Sequence, residues 1–188
     1  MRLLGIPFRV LPPADVPESH PPGMSPVRLA RTLALRKARS VSRRRPKAWV
    51  LGADTLVVAG RGPIGKPKDR QEARTVLRRL SGRTHRVMTG TVLLSPGGRV
   101  AAAAAVTTRV TFRRLGPGEM RAYSAEREPY DKAGGYALQG TAAAWVRRLE
   151  GDYFNVVGLP LGWVADRLRE NGLLARRLRR RAEQVNRS

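Results

Sequence analysis

The sequence predicts an α/β fold, and three observations predict it. Residues 49–58, WVLGADTLVV, hold two short apolar runs of the kind found in a strand buried on both faces. Ser25-Pro26, and Asp69 with Glu72, are helix-start signals, each followed by apolar residues at helical spacing. Residues 86–94 and 100–112 are strand-like and flank Ser95-Pro96-Gly97-Gly98, most simply a long hairpin. At 188 residues the chain is long enough for one such domain with a core of its own, and short for two.

Taken in order, residues 1–4 read as the last turn of a helix capped by Gly5, and residues 6–11 as a strand. Four residues do not nucleate a helix alone, so this turn is either frayed or the end of a longer element. Residues 12–23 hold five prolines and form a loop carrying Asp15 and Glu18. The helix after Ser25 has an apolar stripe of Ala30, Leu33, Ala34, Ala38 and Val41. Lys37, seven residues after Ala30, projects from that same side. A lysine there either snorkels to the rim or reaches a buried anion. A basic turn follows at 42–47. After the 49–58 strand, a Gly-rich loop at 59–65 leads into Lys66, which local pattern alone leaves as a solvated turn lysine.

The second helix carries Ala73, Val76, Leu77 and Leu80 and stops at Ser81-Gly82. Beyond the hairpin come a short helix at 119–124 and a polar, glycine-bearing loop at 126–140. Strands follow at 143–149 and 154–157, then a closing helix at 160–170 with Asn171-Gly172 as its stop. The last segment, 176–188, is an arginine-rich tail. No internal repeat is visible.

Composition removes several classes of function. There are no cysteines, which excludes disulfides and zinc–thiolate sites, and two histidines, His20 and His85, are too few for a multi-histidine metal centre. No apolar run approaches the length of a membrane span, and no secretory signal opens the chain, so a cytoplasmic protein is expected. The formal net charge of +23 points either to a polyanionic partner or to the Arg-rich composition of a GC-rich genome. Aromatic residues make up 5% and do not alternate with basic ones, so a base-stacking surface is poorly supported and nucleic acid is not the expected partner.

Asp54 interrupts the buried run, where a carboxylate costs several kcal/mol of desolvation (about 2–7) unless a cation or donor meets it. It either acts at a strand bend or hydrogen-bonds a turn. With Thr55, Lys66, Asp131, Lys132, Gln139, Lys37 and Glu18 it forms a set of acids, lysines and one amide without a nucleophilic Ser–His or Cys–His pair. His85, a single imidazole at a strand start, is expected to be structural. Acids beside lysines suit a metal-bound phosphate chain, and Gly134, Gly135 and Gly140 would admit backbone N–H groups to it. The residues alone reach a phosphate or nucleotide site.

Five motifs occur here in one order: Leu51-Gly-Ala-Asp-Thr55; Gly65-Lys-Pro67; Leu80-Ser-Gly82 with His85 and Thr89-Gly90; Asp131-Lys-Ala-Gly-Gly-Tyr136 with Gln139-Gly140; and Asn155-Val-Val-Gly-Leu-Pro160. Together they resemble the Maf family of nucleoside triphosphate pyrophosphatases, over about residues 3–174. The resemblance implies a bent mixed β-sheet flanked by helices, two lobes with a central cleft, and one catalytic domain at 1–174 with the basic tail beyond it. It implies hydrolysis of dTTP and UTP to the monophosphate and diphosphate with a divalent cation, Mg2+ or Mn2+, as cofactor, in a homodimer. Asp54 matches the family's proton acceptor, with Lys66 and Lys37 beside it as catalytic residues. Thr55, Gln139, Glu18 and Lys132 match substrate-binding positions, and Asp54 and Asp131 metal-binding ones.

The family pattern opens with a strand and a Ser-x-Ser-Pro-Arg-Arg loop, and this sequence enters the pattern at the end of the following helix. The expectation is an N-terminally truncated member, from a misplaced start codon or a shortened gene. Such a product would lack one strand and one phosphate-binding arginine. An inactive nucleotide-binding relative and a basic nucleic-acid-binding module are therefore the alternatives.

Overall fold

The computed structural model describes residues 1–14, 16–60 and 62–174. A single 3-10 turn, Arg2–Leu4, precedes the proline-rich loop. The regular elements are α1 (Pro26–Arg44), β1 (Val50–Ala59), β2 (Gly62–Ile64), α2 (Arg70–Leu80), β3 (Thr84–Leu94), β4 (Val100–Phe112), α3 (Pro117–Tyr123), β5 (Val146–Glu150), α4 (Tyr153–Val157) and α5 (Leu161–Glu170). The strands form one sheet in the order β2-β1-β3-β4-β5, and all four pairings among the described residues are antiparallel. β1 pairs with β2 only through residues 57–59, so residues 50–56 have β3 as their one strand neighbour among the described residues.

Strand parity sorts the sheet into two faces, because successive side chains point to opposite sides. On the first face α1 lies across β1 and β3, where Ala34 and Ala38 pack with Val50, Val92 and Leu94. This helix comes unusually close. A methyl group placed on Gly90 would lie 2.2 Å from the Ala30 carbonyl, and one on Gly52 would lie 2.7 Å from the Ala34 oxygen. Alanines on the helix and glycines on the strands are thus one packing device. The second face is covered by α2, α3 and the loop after it, around Val57, Leu77, Leu80, Val87, Phe112 and Trp145. At its other end Leu93 packs with Val164 and Leu168 of α5.

Both helix-start signals behave as read. The Ser25 side chain caps α1 with Pro26 at its first turn, and Asp69 accepts the Glu72 N–H at 2.8 Å. Four expectations are corrected. Residues 6–11 form no strand, since Pro7 has no N–H to give a ladder and Pro12-Pro13 end the run. The Gly-rich stretch after β1 contains β2, which folds back on residues 57–59. Residues 141–145 are a 3-10 turn, and the strand begins at Val146, consistent with the low strand preference of three alanines. Residues 154–157 belong to a helix: Asp152 accepts the N–H groups of Phe154 (2.7 Å) and Asn155 (3.2 Å), and Gly158 closes it at φ 117°. The tail at 176–188 lies outside the described residues.

Candidate active site

Asp54 sits at the middle of β1, opposite Gly90 of β3 and on the face covered by α1. Because Gly90 and Gly52 let the helix approach, the seventh residue after Ala30 arrives above this carboxylate. Lys37 Nζ ion-pairs and hydrogen-bonds with Asp54 Oδ1. Of the two readings open for Lys37, the buried anion is the one observed. The carboxylate is 9% exposed while the lysine keeps 29%, so the pair opens to solvent from the lysine side. Burial pushes the Asp54 carboxyl above its ordinary value; the Lys37 hydrogen bond and charge oppose this, the Glu18 charge adds to it, and Lys66 lowers it. These four groups therefore share one electrostatic neighbourhood.

Glu18 is brought there by a residue the sequence reading missed. Arg36 donates from Nη1 to the backbone oxygens of Pro17 and Ser19, both at 2.8 Å, clamping the proline loop along α1 with Glu18 between the two anchors. A second arginine, Arg44, holds the same loop at the Pro12 oxygen. Neither arginine carries a sequence signal, because a carbonyl acceptor in a loop has no pattern.

Lys66 follows β2 and is exposed. The Gly134 N–H donates to the Gly65 oxygen at 3.2 Å, and Gly134 and Gly135 lie against Val57 and Pro67, where added methyls would fall at 2.6 and 3.3 Å. Both glycines have positive φ, 72° and 65°, so the loop from Asp131 to Tyr136 docks on the lysine turn in a shape that other residues resist. Asp131 is paired with its neighbour Lys132 at 2.9 Å. That hydrogen bond lowers its pKa, with Lys66 as a further positive neighbour. Asp131 and Lys132 both face solvent, at 68% and 47% exposure.

Thr55 is not on the Asp54 side. It belongs to the opposite face, where its hydroxyl meets that of Thr89 at 2.9 Å, Thr89 donates to the Asn155 oxygen at 3.0 Å, and Gly158 packs alongside. Asn155 is fully buried and donates from Nδ2 to the Val87 oxygen (3.1 Å) and Thr108 Oγ1 (2.9 Å), a brace tying α4 to β3 and β4. Gln139 is exposed, and its loop is shaped by Glu128, which accepts from Tyr123 Oη at 2.5 Å and from the Ala137 N–H at 3.3 Å. A methyl on Gly140 would collide with that carboxylate at 1.8 Å. Glu128 is thus a second residue that the sequence reading passed over. His85 is structural, as expected: it is 2% exposed, bonded through Nε2 to Tyr136 Oη at 2.8 Å, and burial lowers its pKa to about 4.

Among the described residues no group of three or more acids or histidines could hold a metal by itself. The donor set still fits a cation delivered with phosphates, because magnesium is usually held by one or two carboxylates plus phosphate oxygens and water. Asp54 and Glu18 supply two carboxylates, and Lys37 and Lys66 supply positive charge for the remaining phosphate oxygens.

Residues 1–171 match the family described as Maf-like protein. The dTTP/UTP pyrophosphatase of Pelotomaculum thermopropionicum is 44% identical over 172 residues, covering 92% of this chain and 90% of that protein. Proteins of the same name from Koribacter versatilis (46% over 167 residues; 89% and 85% covered) and Symbiobacterium thermophilum (49% over 161 residues; 86% and 81% covered) are similar to it as well. With nearly its whole described length matched and close to half of its residues shared with each relative, the chain belongs to the Maf family.

Proposed function

We propose that this chain hydrolyses dTTP and UTP to the monophosphate and diphosphate. The observation that carries the reading is the buried Asp54–Lys37 pair, with Glu18 and Lys66 in its field, in a chain whose relatives bear that name. In the reaction a water oxygen forms a bond to the α-phosphorus, the bond from that phosphorus to the bridging oxygen breaks, and diphosphate leaves with the electron pair. Asp54 takes the proton from the attacking water. Its raised pKa makes it a stronger base than a solvated aspartate. Lys37 and Lys66 offset charge that grows on the non-bridging and leaving oxygens.

A divalent cation, magnesium or manganese, would be held by Asp54 and Glu18 with the phosphates; Asp131 is a second candidate ligand through its shared neighbour Lys66. When bound, such an ion acidifies the attacking water and neutralises phosphate charge. Gln139 and Lys132 are assigned to substrate binding, and Thr55, for which the same role was expected, is not. Since Thr55 stands on the other sheet face, its part is to hold β1 against β3 beneath the site, while Gln139 offers an amide donor and acceptor to a pyrimidine edge. The catalytic domain spans residues 1–174, and a homodimer in the cytoplasm is the expected setting. Among the described residues no helix is long and apolar enough to cross a membrane.

The test is diphosphate release from dTTP and UTP with magnesium, compared with Asp54→Asn. Release that disappears in the variant supports the proposal. Nucleotide binding without release, or release indifferent to the substitution, overturns it.

A further inference from the structure

A surface pocket lies at the opposite end of α1 from its Ser25 cap. The last turns of the helix, the turn after it and the β3–β4 hairpin border an open pocket of about 300 Å³ lined by Arg39, Ser42, Arg43, Pro46, Gly97 and Gly98. Its walls are fixed: the Gly97 N–H donates to the Pro46 oxygen at 2.8 Å, and the Gly98 N–H donates to the Ser95 oxygen at 2.9 Å. Both glycines have positive φ, near 80°, as this tight turn requires.

The lining is specific in two respects. Arg39 and Arg43 stand one helical turn apart, and neither guanidinium has a hydrogen-bond or ion-pair partner among the described residues. Ser42 is 5% exposed, yet its hydroxyl makes no hydrogen bond among the described residues and borders the pocket. A helix serine normally returns such a hydroxyl to the carbonyl four residues back. A methyl on Gly98 would sit 3.1 Å from that hydroxyl, so the glycine keeps the space in front of it open.

We propose that this pocket binds a small phosphate anion, of the size of inorganic diphosphate. Two guanidiniums and one hydroxyl match phosphate oxygens, which accept planar, charge-assisted hydrogen bonds. The nearby helix C-terminus opposes an anion, but more weakly than either charge-assisted contact attracts it. Two exposed arginines beside an open pocket of about 300 Å³ can hold a compact anion, whereas a nucleic-acid backbone needs a more extended basic surface. The site does not use Asp54 or Lys37, so it stands or falls independently of the hydrolytic reading.

Backbone amide NMR of the full chain, titrated with inorganic diphosphate, tests it. Saturable shifts are expected at Ser42, Gly97 and Gly98, separate from any at Lys37 and Asp54. In the Arg39→Gln, Arg43→Gln double variant the first set weakens by about a hundredfold or more, as the loss of two charge-assisted contacts requires. Ser42→Ala, which leaves every charge in place, weakens it by roughly two- to tenfold. Nucleotide hydrolysis in these variants stays at the unsubstituted level. Absence of saturation, shifts that persist in the double variant, or indifference to Ser42→Ala overturns the site. So does a short DNA duplex that produces the same shifts at lower concentration than diphosphate.

Discussion

Gly90→Ala is the sharpest probe of how the helix and the sheet make the site. The added methyl would stand 2.2 Å from the Ala30 carbonyl carbon and oxygen and 2.5 Å from the Arg31 nitrogen, all backbone atoms of α1. Ordinary contact for a methyl begins near 3.4 Å, so the helix must retreat by about 1 Å, because no flexible side chain is present to yield. Overpacking of this kind costs about 1–3 kcal/mol. In a domain of this size that lowers Tm by roughly 2–12 °C. The same retreat carries Lys37 away from Asp54, and a displacement of about 1 Å at a reacting group can cost a hundredfold in rate. Calorimetry and kcat/KM for dTTP should therefore fall together. Gly162→Ala is the control, since nothing lies within 4 Å of its added methyl. Should Gly90→Ala keep both its Tm and its kcat/KM, the close approach of α1 is not what places the lysine.

Asp54→Asn should lower kcat by about 10²–10⁴, the range for losing a general base, with the fold intact by circular dichroism. Lys37→Met removes the two largest opponents of Asp54's raised pKa, so the acid limb of the kcat/KM–pH profile should move to higher pH; an unmoved limb would mean another group sets it. His85 is held at about 4, below its ordinary 6.5, so its contribution to stability is fully present above pH 6.5 and is lost as pH falls toward 4. Its size is about 3 kcal/mol, and urea unfolding of His85→Phe between pH 4 and 8 should show a flatter pH dependence than the unsubstituted chain. Asn155→Ala removes the amide that donates to the Val87 oxygen and the Thr108 hydroxyl and opens a cavity, which should cost about 2–4 kcal/mol in chemical denaturation. Chelation of divalent cations should abolish diphosphate release, and magnesium or manganese should restore it.

What the sequence made legible follows from where information is stored along it. Capping residues and apolar spacing declared α1 and α2, and Ser95-Pro96-Gly97-Gly98 declared the hairpin, because those signals are local. A carboxylate inside an apolar strand identified Asp54, since burying it without a partner is prohibitive. Helical spacing placed Lys37 on the inward side but could not say what it meets. That depended on Gly52 and Gly90, one of them in another strand. Arg36, Glu128 and Asn155 escaped notice because each is defined by a backbone or side-chain partner distant in sequence. The helix at residues 153–157 was misread as a strand because its apolar run is short, although Asp152 and Gly158 bracket it with the usual helix-end residues. The opposite facing of Asp54 and Thr55 was available from strand parity alone.

That opposite facing limits how the protein can change. β1 and β3 are matched residue for residue from Val50–Leu94 to Val58–Arg86. Deleting one residue within β1 ahead of Asp54 would exchange the two sides of the strand and turn the acid toward Asn155, away from its lysine. Point replacements can retune this enzyme, whereas a frame-preserving loss of a single codon there would invert its central strand.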